Sequence, residues 1–79
     1  MAGERVEQRL ANVLLMVSSK LGLTLPFTRQ EIADMTGTTT ETVIRVLSCL
    51  KDRGIIRSDR GKVIIIDKEK LRLLSEGPS

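Results

Sequence analysis

The side chains best suited to chemistry lie in the segment 36–53, where Glu41 and Arg45 stand four residues apart. On a helix this spacing lets both side chains point in the same direction. A guanidinium can donate two hydrogen bonds to O6 and N7 of guanine, and a carboxylate can accept one from N4 of cytosine. Glu41 and Arg45 are therefore candidate readers of G·C base pairs. The alternative is an ordinary surface ion pair, which contributes about 0.2–0.5 kcal/mol.

Two neighbours extend this candidate base-reading face. Ile44 is a large apolar residue beside Glu41 and Ser48, and it could press on the methyl group of a thymine. A lone exposed isoleucine also occurs without any such cause, so both readings stay open. Thr40 precedes Glu41 and completes the predicted base-reading set of Thr40, Glu41, Ile44 and Arg45.

A second group of residues could bind phosphate. Most of its members fall near the predicted N-termini of two helices, where backbone N–H groups and the helix dipole favour anions. This group consists of Thr28, Arg29, Gln30, Thr39, Thr42 and Ser48. Arg60, Gly61 and Lys62 could hold a further phosphate from a hairpin tip, although a polar turn explains this tip nearly as well. Phosphate contacts position a protein on a duplex but carry no sequence information.

The helix that must carry the base readers is predicted over about 40–53. Its apolar residues recur at i, i+3, i+4 and i+7, which is one stripe at helical period. These residues are Val43, Val46, Leu47 and Leu50. The stripe predicts a helix with a buried back and an exposed polar front.

A shorter helix is predicted just before it, from residue 29 to about 36. Thr28 and Glu31 have the spacing of a capping box, and Ile32 and Met35 are its expected core residues. Gly37 ends this helix, after which either Thr38 or Thr39 can cap the next one. Two helices joined by about three residues that include a glycine are typical of a helix-turn-helix, here at about 29–53.

The flanking segments complete the predicted order of elements. A first helix over about 4–21 carries the apolar stripe Val6, Leu10, Val13, Leu14, Val17 and Leu21, and Gly22 caps its end. Leu15 and Met16 lie off that stripe, which indicates either a broad core face or a second apolar surface that meets another domain. Segment 23–27 contains Pro26, which restricts it to an edge strand or a turn.

After Gly54 the pattern changes to one typical of strands. Segments 55–58 and 62–66 with a turn at 59–61 predict a β-hairpin, and Asp67 can cap a last helix whose apolar residues are Leu71, Leu73 and Leu74. The fold class is therefore mainly α with a small β-hairpin: a winged helix-turn-helix of three core helices, a wing at about 55–66 and a short C-terminal helix. One domain is expected over residues 4–76, with flexible ends at 1–3 and 77–79.

Composition excludes several classes of function. The chain has 79 residues, a formal net charge of +3 and a pI of about 9.5, which favours a polyanionic partner without requiring one. It has no His and a single Cys, so zinc sites of the usual spacing, His-based catalysis and an intrachain disulfide are excluded. No enzyme activity, metal or cofactor is expected. No membrane-spanning run or signal peptide is visible, and we expect a cytoplasmic protein without membrane contact.

Three segments together resemble the C-terminal domain of the Crp/Fnr family of bacterial transcription regulators. They are FTRQEIADMTG at 27–37, TTETVIR at 39–45 and the hairpin GIIRSDRGKVIII at 54–66. The resemblance implies a homodimer that binds a palindromic promoter site in double-stranded DNA, with RNA polymerase as a further partner. It also implies a sensing domain and a dimerisation helix ahead of this domain, so the chain resembles an excised DNA-binding domain or a natural fragment.

The resemblance assigns roles residue by residue. It implies base reading by Glu41 and Arg45, phosphate contacts by Thr28, Arg29 and Gln30, and helix capping by Thr39. Two positions depart from the family pattern: Thr40 stands where one branch has an arginine, and Ile44 where relatives have Gly or Ser. Both departures predict altered preference for the flanking bases. The alternative is a winged helix that docks on another protein without reading bases, since a fold does not dictate its function.

Overall fold

The computed structural model describes residues 2–76, and side chains from Val6 onward. Four helices and one three-stranded sheet follow each other in the predicted order. They are α1 (Ala2–Leu21), β1 (Thr24–Leu25), α2 (Arg29–Thr36), α3 (Thr40–Asp52), β2 (Ile56–Asp59), β3 (Lys62–Ile65) and α4 (Lys68–Glu76). The expected winged helix-turn-helix is confirmed, and α1 begins two residues earlier than predicted. Residues 77–79, expected to be flexible, lie outside the described residues.

The sheet joins the wing to the rest of the domain. Its strand order is β1-β3-β2 with antiparallel pairing throughout. β1 is an edge strand followed by Pro26, as a residue without a backbone N–H requires. The N–H of Ile65 also donates to the carbonyl oxygen of Leu23 at 2.9 Å. The strand after α1 therefore anchors the wing.

The core lies between the helices and one face of this sheet. The predicted back of α3, formed by Val43, Val46, Leu47 and Leu50, is buried, and residues from every other element close around it. The remaining buried apolar residues are Leu10, Ala11, Leu14, Leu25, Ile32, Ala33, Ile55, Ile56, Val63, Ile65 and Leu71.

Three predicted core residues are exposed instead. Met35 is 41% exposed because α2 turns Ile32, Ala33 and Thr36 inward, and Met35 lies to the side of that face. Leu73 is 58% exposed since it is two positions from the buried Leu71, on nearly the opposite side of α4.

The third exception, Leu21, is 54% exposed although it lies on the expected stripe of α1. It is the last residue of that helix, and Gly22 (φ 93°) turns the chain away there. Of the two off-stripe residues, Leu15 packs against the core, whereas Met16 is 58% exposed.

Candidate nucleic-acid interface

Two threonines begin the two helices of the helix-turn-helix. Thr28 and Glu31 form the predicted capping box: the N–H of Thr28 donates to Glu31 Oε1 at 2.8 Å, and the N–H of Glu31 donates to Thr28 Oγ1 at 3.1 Å. Of the two candidate caps for α3, Thr39 is the one used, and its Oγ1 accepts from the N–H of Thr42 at 3.3 Å. Both caps satisfy backbone groups that helix N-termini leave free.

The turn between α2 and α3 depends on Gly37 and on a residue from a distant helix. Gly37 has a φ of 81°, and its N–H donates to the carbonyl oxygen of Ala33 at 2.8 Å. Arg9 of α1 donates from Nη2 to the carbonyl oxygens of Thr36 at 2.5 Å and Gly37 at 3.3 Å. A Cβ on Gly37 would lie 3.1 Å from that nitrogen. The sequence did not reveal Arg9, because a contact over 27 positions leaves no local pattern.

The exposed front of α3 carries the main predicted base readers. Glu41, Arg45 and Ser48 are all exposed, and Ile44 is 47% exposed between them. Among the side chains from Val6 to Glu76, neither Glu41 nor Arg45 forms a hydrogen bond or salt bridge, so the structure contains no Glu41–Arg45 ion pair. Both groups are available to a ligand in solution.

Thr40 occupies a different position from the other predicted base readers. It is half-buried, and its hydroxyl donates to Gln30 Oε1 at 3.2 Å. This bond connects the first turn of α3 to the first turn of α2. It leaves the amide N–H groups of Gln30 facing away from Thr40.

The predicted phosphate-binding residues fall at two places, except Ser48, which is exposed in the third turn of α3. Thr28, Arg29, Gln30, Thr39 and Thr42 surround the neighbouring N-termini of α2 and α3, where Thr39 and Thr42 share a hydroxyl hydrogen bond of 2.9 Å. At the wing tip, Arg60 (φ 50°) and Gly61 (φ 79°) form a two-residue loop between the paired residues Asp59 and Lys62. Positive φ at both central positions defines the hairpin turn that best matches strand twist.

A shallow depression adjoins the base-reading face. Glu7, Arg45, Val46 and Cys49 line it, with a volume of about 360 Å³. It brings α1 beside the second turn of α3, and it places the half-buried Cys49 next to Arg45. Sequence patterns gave no reason to pair Glu7 with α3.

Among the described side chains, from Val6 to Glu76, no group of three or more His, Cys, Asp or Glu residues could hold a metal ion. No helix within residues 2–76 is long and apolar enough to cross a membrane.

These elements have the arrangement of a winged helix-turn-helix domain. A helix with a buried back and an exposed polar front follows a capped helix and a tight turn, and a wing comes after it. Residues 8–74 match the family model of the Crp-like helix-turn-helix domain, and the chain belongs to that family.

Named relatives agree with this membership. The chain is 40% identical over 72 residues to the nitrogen fixation regulation protein FixK of Rhizobium meliloti, covering 85% of this chain and 34% of FixK. It is 38% identical over 65 residues to the cAMP-activated global transcriptional regulator CRP of Pasteurella multocida, covering 78% of this chain and 31% of CRP. The chain thus spans about a third of the length of these relatives.

Solved structures show the same likeness. The catabolite activator protein of Thermus thermophilus superposes with a TM-score of 0.88 at 30% identity, covering 95% of this chain and 36% of that one. The CO-dependent transcription factor CooA of Carboxydothermus hydrogenoformans gives 0.78 at 32% identity, covering 87% and 36%. These structures, at 30% and 32% identity, agree with the family membership.

Proposed function

We propose that this chain binds double-stranded DNA sequence-specifically, as the DNA-binding domain of a Crp/Fnr-type regulator, with α3 in the major groove. The observation that carries the proposal is the front of α3, where Glu41 and Arg45 are exposed and free of partners among the described residues. The buried back of the helix fixes the direction in which these side chains point. A major groove about 12 Å wide accepts a helix presented in this way.

The proposed base contacts follow from side-chain chemistry. Arg45 donates to O6 and N7 of a guanine, and Glu41 accepts from N4 of a cytosine. Ile44 presses on a thymine methyl group. For Thr40 we propose an indirect role, because its hydroxyl hydrogen is already donated to Gln30.

Phosphate contacts would set the position of α3 in the groove. We assign them to Thr28, Arg29, Gln30, Thr39 and Thr42 around the two helix N-termini, to Ser48 in the third turn of α3, and to Arg60, Gly61 and Lys62 at the wing tip. Hydroxyl, amide, backbone N–H and cationic groups of this kind are the usual donors to phosphate oxygens.

Assembly is proposed on the family relationship. The relatives are about three times as long as this chain, and we propose that a region outside it forms a homodimer. Two copies of α3 would then read the halves of a palindromic site, with centres about 34–36 Å apart. RNA polymerase is a proposed further partner of that assembly.

Selection of bound duplexes from a random pool tests the proposal, followed by titration of the selected duplex at several salt concentrations. We expect enrichment of a half-site that contains a G·C pair, and affinity that falls steeply with salt as counterions are released. The alternative, a winged helix that docks only on proteins, predicts no duplex binding even at low salt. That result would contradict the proposal.

A further inference from the structure

We propose that a groove between the end of α3 and helix α4 binds an acidic peptide segment of a partner protein. The α3–α4 groove is lined by Arg53, Ile55, Lys70, Leu73 and Leu74, and its volume is about 350 Å³. None of these residues has a place in the proposed DNA contacts. The inference therefore does not depend on the proposed function.

The floor of the groove is apolar. Ile55 is buried, Leu74 is half-buried against the core, and Leu73 is 58% exposed at the side. An isolated exposed leucine needs no explanation. Leu73 differs because it borders a concave surface whose volume lies within the range of ligand sites, roughly 300–1,000 Å³. The groove can therefore enclose a bulky apolar side chain.

The rim of the groove is positively charged. Arg53 and Lys70 are exposed, and no carboxylate is among the lining residues. Lys70 Nζ lies 4.0 Å from Asp67 Oδ2, at the outer limit of an ion pair, so its ammonium can still donate to a ligand. Of the other two cations of α4, Lys68 is exposed and Arg72 is paired with Glu69 at 3.0 Å. An occupant that fits this groove therefore has an apolar side chain for the floor and neighbouring carboxylates for the basic rim.

The same charges argue against a second copy of this chain as the occupant. A two-fold interface places the same patch on both subunits, so the basic rim with Arg53 and Lys70 would lie against a second basic rim. Like charges opposed across an interface disfavour association. A concave floor with the buried Ile55 at its base fits a single inserted side chain better than the flat surface of a membrane.

Position along α3 permits simultaneous binding of DNA. Arg53 follows Arg45 by eight residues, which corresponds to roughly 12 Å along a helix axis. Glu41 and Arg45 lie in the first two turns of α3, whereas the groove begins where the helix ends. An occupant of the groove therefore leaves the base-reading face uncovered.

To test this, a synthetic peptide of alternating Asp and Leu residues is titrated into the isotope-labelled chain. The titration is monitored by two-dimensional NMR of the backbone amides. We expect shifts at the amides of the groove residues. Leu73→Glu and Lys70→Glu should each weaken binding at least tenfold. Met16→Glu is the matched control, because Met16 is also 58% exposed but lies on α1, and it should leave affinity unchanged. A peptide with Lys in place of Asp should not bind.

Acidic peptides can also mimic DNA, so Arg60→Glu at the wing tip is a second control that should retain groove binding. Shifts confined to α3 and the wing, or equal affinity for the basic peptide, would overturn the proposal. So would the absence of binding. Sedimentation equilibrium of the chain alone tests whether a second copy occupies the groove. If the chain self-associates and Leu73→Glu abolishes this, the groove binds a second copy. Binding to anionic vesicles in place of the peptide would assign it to a membrane.

Discussion

At the scale of single residues, Arg45 gives the sharpest test of base reading. We expect Arg45→Ala to cost about 1–3 kcal/mol of binding free energy and to relax preference at one position of the site. The reason is that its guanidinium is exposed on the front of α3 and has no competing partner among the described residues. Titration of the selected duplex and of variants at each base pair measures both effects.

Arg29→Ala provides the matched comparison, because Arg29 lies at the N-terminus of α2. Its loss should weaken binding uniformly across sequences and reduce the salt slope by about one. An equal loss on all duplexes for Arg45→Ala would remove Arg45 from the base readers. An unchanged salt slope for Arg29→Ala would remove Arg29 from the phosphate contacts.

Thr40 allows a separate test of an indirect role. Thr40→Val removes the hydroxyl that donates to Gln30 Oε1, and a bond of this kind contributes about 0.5–1.5 kcal/mol. We expect DNA affinity to fall in the native background but to change little once Gln30 is replaced by Ala. A double-mutant cycle on binding measures this coupling. If the losses of binding free energy from Thr40→Val and Gln30→Ala were additive, Thr40 would contact a base directly.

Contacts of single residues could be predicted from the sequence when the two partners lie close together along the chain. The Thr28–Glu31 capping box, the Thr39 cap and the Gly37 turn were predictable because their partners lie within four residues. Arg9 and the Thr40–Gln30 bond were not, since their spacings belong to the tertiary fold. Arg9 illustrates the limit: an arginine on an amphipathic helix has no local feature that identifies its acceptors.

At the scale of elements, the wing turn holds Arg60 in a backbone conformation that is unfavourable for arginine, although the proposed phosphate contact needs its positive charge. Arg60 adopts a φ of 50°, a left-handed conformation that costs a residue with a Cβ about 1–2 kcal/mol and that Asn tolerates better. We expect Arg60→Asn to raise the free energy of unfolding by about 0.5–1 kcal/mol while weakening DNA binding. Thermal or denaturant unfolding and duplex titration measure the two effects separately.

The conservative variant Arg60→Lys serves as the control. It keeps a cation and the same backbone requirement, so both the stability and most of the DNA affinity should stay near their native values. If Arg60→Asn bound DNA as tightly as the native chain, the wing tip would be a polar turn without a phosphate contact. This is the alternative that the sequence left open.

The helical period of apolar residues predicted which side of a helix a residue lies on better than it predicted whether that residue is buried. It identified the back of α3 completely, because α2 and β2 lie against that helix. Leu21 lies on the predicted stripe but is exposed, since the period gives the direction of a side chain and not whether another element covers it. Met35 and Leu73 are exposed because they lie off the buried faces of α2 and α4. The exposed Leu73 lines one side of the α3–α4 groove.

At the scale of the whole molecule, Arg9 links the first helix to the turn that orients α3. Its guanidinium donates to Thr36 and Gly37 at the end of α2, where free carbonyls and the helix dipole favour a cation. A shift of α1 would therefore move the turn with it.

We expect Arg9→Ala to lower the free energy of unfolding by about 1–2 kcal/mol and to weaken DNA binding at temperatures where the chain remains folded. The decisive measurement is a cycle with Gly37→Ala. That change imposes a left-handed alanine at φ 81° and places its Cβ 3.1 Å from Arg9 Nη2. Gly37→Ala should therefore be less destabilising in the Arg9→Ala background, where only the backbone strain remains. Equal costs in both backgrounds would show that α1 and the turn are not coupled through Arg9.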